Sequence, residues 1–184
     1  MNRLGAPALV AIALPLLLAV AVAAIGIAGR LGAADPAAAP PDARPLAVVP
    51  LDAPAAGGPE CAGLLAALPA ELPSDSGPLP VRPLAEPAPP GVRAWAAAPR
   101  PAVLRCGLTR PAELSPTSVL LEVDGVSWLE LDDGVPDPVV VTYVAVDRPV
   151  YLVLTAPTSA GSGPLQTVSE AVRGTLPETA VAVR

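Results

Sequence analysis

The chain has 184 residues, eleven basic side chains against seventeen acidic ones, and a net charge of −6; all the basic residues are Arg, and there is no His, Lys or Phe. Without His there is no imidazole base, no Ser–His or Cys–His pair and no His metal ligand. Without Lys there is no Schiff base and no phosphate-loop lysine, and neither G-x-x-x-x-G-K-[ST] nor G-x-G-x-x-G occurs. No catalytic residue, cofactor or metal site is therefore expected, and the chain is not expected to be an enzyme. The abundance of Ala, Pro, Gly, Val and Arg also carries the codon bias of a G+C-rich genome.

No charged residue lies between Arg3 and Arg30. An uninterrupted apolar run of about 20 residues spans a bilayer as a helix, and a secretory apolar region is usually about 7–15. Residues 1–30 are thus expected to form an N-terminal transmembrane anchor. Arg3 and the amino terminus place the N-terminus in the cytoplasm and the rest outside. The alternative is a secreted protein, cleaved near Ala34 after "LGAA". Residues 31–59 hold seven prolines, which remove backbone donors and favour extended chain. They read as an extracytoplasmic stalk, with "PLAVVPL" at 45–51 alternatively an edge strand docking on the domain.

A folded body is expected over 60–184. Cys61, Leu64, Leu65 and Leu68 share one helix face, and Pro69 ends that helix. The passage 73–101 has nine prolines and is expected to wrap the surface around one short strand near "PVRPL". "PAVLRCGL" alternates as a strand, with Leu104, Cys106 and Leu108 facing one way and Val103, Arg105 and Gly107 the other. After a turn at "RPAELSP", the runs 126–133, 139–147 and 150–157 read as a meander, with a tight turn at Asp147-Arg148-Pro149. Pro164 opens a last helix carrying Leu165, Val168, Val172 and Leu176 on one face. The fold class is α+β: a small two-layer sandwich of a mostly antiparallel sheet, about four or five strands, with both helices on one face.

Cys61 and Cys106 are the only cysteines, 45 positions apart and both downstream of the apolar run. Outside the cytoplasm two such cysteines usually pair, and closing that loop would stabilise the fold by about 4 kcal/mol. A reactive thiol is the alternative, with no C-x-x-C and no His to activate it. Arg93, Arg100, Arg105 and Arg110 crowd one stretch of an otherwise acidic body. They are expected to balance nearby acids from outward strand positions; the sharper alternative is an anion contact. Asp132, Asp133 and Asp137 could offer oxygen ligands to Ca²⁺, but their spacing departs from D-x-[DN]-x-[DN]-G, and Gly134 and Pro136 already account for a turn. Glu122 and Asp124 could pair as acid and base.

The pattern C-x-x-L-L-x-x-L-P at 61–69, "AW" at 94–95, "VLRCG" at 103–107, "GVSW" at 125–128 and "LP" at 176–177 resembles the domain of unknown function 3515 family. The resemblance implies an actinobacterial, secreted or membrane-anchored protein, and it assigns no catalytic residue. Together these readings favour a membrane-tethered accessory or protein-interaction module of the cell envelope. Its partners would be the cytoplasmic membrane, through the N-terminal helix, and an envelope protein, with nucleic acid excluded by charge and placement. The alternatives are a small-molecule or anion-binding envelope domain and a carboxylate-dependent cell-wall enzyme.

Overall fold

The computed structural model describes residues 42–131 and 134–183. The expected membrane anchor and residues 31–41 of the expected stalk lie outside them, as do Asp132 and Asp133. Among the described residues no helix is long and apolar enough to cross a membrane.

The body is α+β, as its sequence implies, but its single antiparallel sheet has eight strands. Helix α1 (Pro59–Ala67) leads into β1 (Glu71–Leu72), β2 (Leu79–Arg82), β3 (Val92–Trp95) and β4 (Ala102–Leu108). Then come β5 (Leu121–Val123), β6 (Val126–Leu131), β7 (Val140–Ala145), β8 (Tyr151–Pro157), a 3₁₀ turn (Thr158–Ala160) and helix α2 (Gly163–Thr175). The strand order is β1-β2-β3-β4-β8-β7-β6-β5. Two four-stranded meanders therefore meet edge to edge, with the last strand of each, β4 and β8, at the centre. The expected four or five strands omit β1, β3 and β5, which are two, four and three residues long. Strands that short show too little alternation to be read against their proline-rich surroundings.

Both helices cover one face. Cys61, Leu64 and Leu68 from the α1 segment, and Leu165, Val168 and Val172 from α2, pack against Leu104, Cys106, Val126, Trp128, Leu152 and Leu154. Pro59 starts α1 where a missing N–H costs nothing, and the Leu68 N–H closes it on the Leu64 carbonyl at 3.2 Å. Trp95 and Trp128 are fully buried. Each indole N–H has an acceptor, the Pro69 carbonyl at 3.3 Å and the Ser169 hydroxyl at 2.9 Å, as buried Trp requires. Ser169 passes its own proton to the Leu165 carbonyl at 2.7 Å.

The second face carries a smaller cluster, Leu114, Leu129, Val144 and Val146, with Leu120, Tyr151, Val153 and Val181 against it. Irregular chain supplies that cover: the β4–β5 connection and the C-terminal tail. Leu108 joins this side instead of the row of Leu104 and Cys106. A bulge at Gly107 advances the register, so Cys106 faces Leu152 while Leu108 faces Tyr151. Gly107 has φ +86°, and a Cβ there would run into the backbone of Ala55 and Ala56, so only glycine serves.

That close approach is part of a docking of residues 42–58 along the body, a stretch whose composition reads as stalk. Leu46 forms a parallel bridge with Leu84. The Leu46 N–H reaches the Pro83 carbonyl at 2.8 Å, the Ala85 N–H reaches the Leu46 carbonyl at 2.9 Å, and the Ala55 N–H reaches the Gly107 carbonyl at 3.1 Å. Buried Arg82 donates through Nε to the Arg44 carbonyl at 2.7 Å and pairs with Asp42 at 3.0 Å. Hydrogen bonds from the Arg44 side chain and backbone, joined by the charge of Arg82, hold the Asp42 carboxyl well below the usual carboxylate range. The proline-rich segment lacks donors but keeps its carbonyls, and distant arginines and amides find them.

Candidate functional site

Cys61 and Cys106 form a disulfide, with Cα atoms 5.6 Å apart, within the range a bridge needs. Both are buried. The bridge joins α1 to the central strand β4 and encloses β1–β3 with their proline-rich connections. Both cysteines are consumed in the bridge, so this is a staple and not a thiol site.

The four arginines do not converge. Arg93 stands opposite Leu104, on the helix side of the sheet, and donates to the Leu65 carbonyl of α1 at 2.6 Å. Arg105, one residue further along β4, points to the other side and donates to the Val49 carbonyl at 3.1 Å; burial lowers its affinity for its proton. Arg110 reaches the Ala182 carbonyl at 2.9 Å and the Pro111 carbonyl at 3.4 Å, and also bonds the Leu114 carbonyl. Arg100 is exposed in the β3–β4 connection. The expectation that they balance acids needs correction: among the described residues the ion pairs are Arg44–Asp42, Arg82–Asp42 and Arg148–Asp147. Arg93, Arg105 and Arg110 instead clamp separate chain segments through backbone carbonyls. Guanidinium donors satisfy carbonyls that proline-rich and irregular chain leaves without amide partners.

Among the described residues the candidate carboxylates Glu122 and Asp124 line neither of the two larger hollows. Asp124, at φ 50°, and Gly125, at φ 74°, form the two-residue turn of the β5–β6 hairpin, the primed turn that Asp-Gly favours. Glu122 is exposed on the opposite side of β5 from Leu121 and Val123. Among the described residues, no three His, Cys, Asp or Glu side chains are grouped to hold a metal ion. Asp147 and Arg148 are buried at the β7–β8 turn, 3.4 Å apart. Asp147 accepts the Ser127 N–H at 2.8 Å, and Arg148 donates to the Gly125 carbonyl at 2.5 Å. The pair fastens two hairpin turns together and opens onto no cavity among those described.

The concave surface lies elsewhere, at the end of the second meander. Two adjoining hollows of about 770 and about 420 Å³ share Leu121, Glu130, Pro138 and Val141. The larger is completed by Val119, Leu120, Leu131, Val140 and Thr142, and passes from one side of the sheet to the other around the outer edge of β6. The smaller lies on the helix side, between Tyr143 and the first turn of α2 at Ser162, Leu165 and Gln166. Helix α2 begins there, so the sheet beyond it is uncovered. Among the described residues Glu130 is the one carboxylate in either lining. Partial burial and then the Glu130 charge push the Tyr143 phenol above its ordinary pKa. In the lining Val119 is 88% and Leu121 44% exposed, and Val139, between the lining residues Pro138 and Val140, is 57% exposed. Sequence reasoning missed this groove because Val140 and Val141 read as part of a strand and the stretch 118–123 reads as no element. The signals were present as "TSVLL" before an Asp-Gly turn and the extra valine ahead of β7.

Curated proteins and solved structures yield no match to the chain. The disulfide between α1 and β4, the two buried tryptophans and the hairpin at Gly125–Trp128 are the residues on which the family resemblance rests. A family profile described as Protein of unknown function (DUF3515) matches residues 10–181, and the chain belongs to that family.

Proposed function

We propose that the chain is a membrane-tethered interaction module, displayed on the outer face of the cytoplasmic membrane, that binds an envelope protein through the groove beside β5–β7. Its role is to hold a partner and not to transform a substrate. The carrying observation is the apolar hollow at the sheet's open end, whose lining includes the exposed Val119 and Leu121, with exposed Val139 between the lining residues Pro138 and Val140. Soluble surfaces scatter single apolar residues, whereas a contiguous patch around a concavity marks a contact site. The uncharged run between Arg3 and Arg30 supports the tether, and the Cys61–Cys106 bridge supports an oxidising compartment. Three arginines committed to separate clamps, with Arg100 exposed apart from them, give an anion site no focus, and the dispersed carboxylates among the described residues give hydrolysis no acid–base pair.

Two measurements test the reading. Alkaline phosphatase fused after Arg184 should be active; an inactive phosphatase with an active cytoplasmic reporter overturns the placement. A photo-crosslinking amino acid at Val119 should trap an envelope protein in intact cells, and the same group at exposed Arg100 should not. Identical patterns at both positions overturn the groove as the contact site.

A further inference from the structure

The backbone around the groove has a directional feature that the side chains do not reveal. The Asp124–Gly125 turn is a two-residue hairpin, so Val123 and Val126 form its hydrogen-bonded pair. Alternation then turns the N–H and C=O of Trp128, and next of Glu130, toward β5, and those of Ser127 and Leu129 toward β7. The Ser127 carbonyl accordingly accepts the Val146 N–H at 3.0 Å. But β5 stops at Leu121, opposite Trp128. Val119, which the register would set opposite Glu130, is outside any strand and 88% exposed. Among the described residues no strand pairs with Leu129–Leu131 on that side. The main-chain donor and acceptor of Glu130 therefore open into the same groove as its carboxylate.

We propose that this edge takes an extended peptide segment, apolar with one basic side chain, that adds as a short strand beside Leu129–Leu131. The inference rests on the interaction-module reading and names the partner's chemistry. The main-chain groups of Glu130 supply the strand's hydrogen bonds, and Leu121, Pro138 and Val141 take its apolar side chains, the usual division of labour in strand addition. The charge is set by complementarity. Among the described residues Glu130 is the one carboxylate of the lining and no arginine lines either hollow, and Asp137 stands in the bordering β6–β7 connection. A basic side chain on the incoming strand meets Glu130; an acidic one meets like charge in a partly desolvated site.

The test uses the full chain in lipid nanodiscs and a fluorescent synthetic peptide of alternating valine and threonine with one central arginine. The peptide should bind about tenfold more tightly than its twin with glutamate in place of arginine. Glu130→Gln, an exposed change that leaves the core untouched, should erase that preference. N-methylation of the residues flanking the arginine should weaken binding about tenfold, and the bound peptide should slow exchange of the Glu130 amide. Equal binding of the two peptides, indifference to N-methylation, or a dimer of the chain that Val119→Asp dissociates overturns the proposal. If the peptides fail while Val119 still crosslinks an envelope protein, strand addition falls and the interaction module stands. Loss of both overturns both.

Discussion

Trp128 and Glu130 lie two residues apart on the same side of β6, yet they belong to different regions of the molecule. Trp128 sits beneath α2, fully buried, its indole bonded to Ser169. Glu130 lies beyond the start of α2 and is exposed beside the groove. The first region continues across the sheet through the Cys61–Cys106 bridge and the docked residues 42–58. It is held by apolar burial, a covalent link and arginine clamps. The second is held by the β5–β8 meander, with Thr158 of the 3₁₀ turn bonding the Val139 and Pro138 carbonyls. Spacing along one strand thus separates a residue that maintains the fold from one that is free to meet a partner, and the boundary is the first turn of a helix that follows β8 in the chain.

Substitutions should divide the same way. The largest effect is expected from Trp128→Ala, which removes a fully buried ring and the hydrogen bond that the Ser169 hydroxyl accepts from it; it should destabilise the domain by about 3–5 kcal/mol in denaturant unfolding. Cys106→Ser should cost about 2–4 kcal/mol, and protease should then cut first within 73–101, the span the bridge encloses. The exported parent should weigh two hydrogens less than the dithiol. At the other region Val119→Ser should shift unfolding by no more than about 0.5 kcal/mol while reducing partner capture. A large loss of stability from Val119→Ser, or a negligible one from Trp128→Ala, would erase the distinction between the two regions.

The smallest effect sharpens the boundary through pH. Burial and Glu130 raise the pKa of Tyr143 above its ordinary value of 10.0, so the folded state retains the phenolic proton longer than the unfolded chain. The stability this contributes is fully present below the unfolded value and is lost as pH rises through the folded one. Ultraviolet titration should show one tyrosine ionising late, and Tyr143→Phe should remove it. Glu130→Gln should bring that titration part of the way down, because burial, the larger cause, remains. No change with Glu130→Gln would show that the two side chains do not share an environment.

Much of the fold was legible where local pattern and burial agree. Helical spacing placed Cys61, Leu64 and Leu68 inward, and the same rule placed Leu165, Val168 and Val172. Alternation located β4, β6, β7 and β8, and two cysteines beyond an apolar run implied the bridge. The short strands β1, β3 and β5 were illegible because a strand of two to four residues exists by virtue of its neighbour's hydrogen bonds and not of its own pattern. The side of Leu108 was missed because a glycine bulge shifts register without altering composition.

The arginines mark the limit most clearly. Their clustering in sequence suggested a shared charge role, but successive residues of a strand point to opposite sides, and Arg93, Arg105 and Arg110 each bond backbone carbonyls of a different segment. By itself the sequence determined the covalent staple, the fold class, the two helix faces and the absence of imidazole and amine chemistry, all properties of residue identity and short-range periodicity. Only the tertiary structure decided that residues 42–58 dock, that Arg93, Arg105 and Arg110 act as clamps, and that β5 ends early enough to leave Glu130 at an open edge. Those outcomes depend on which distant segments end up side by side, and that information appears only when the two meanders close on each other at β4 and β8.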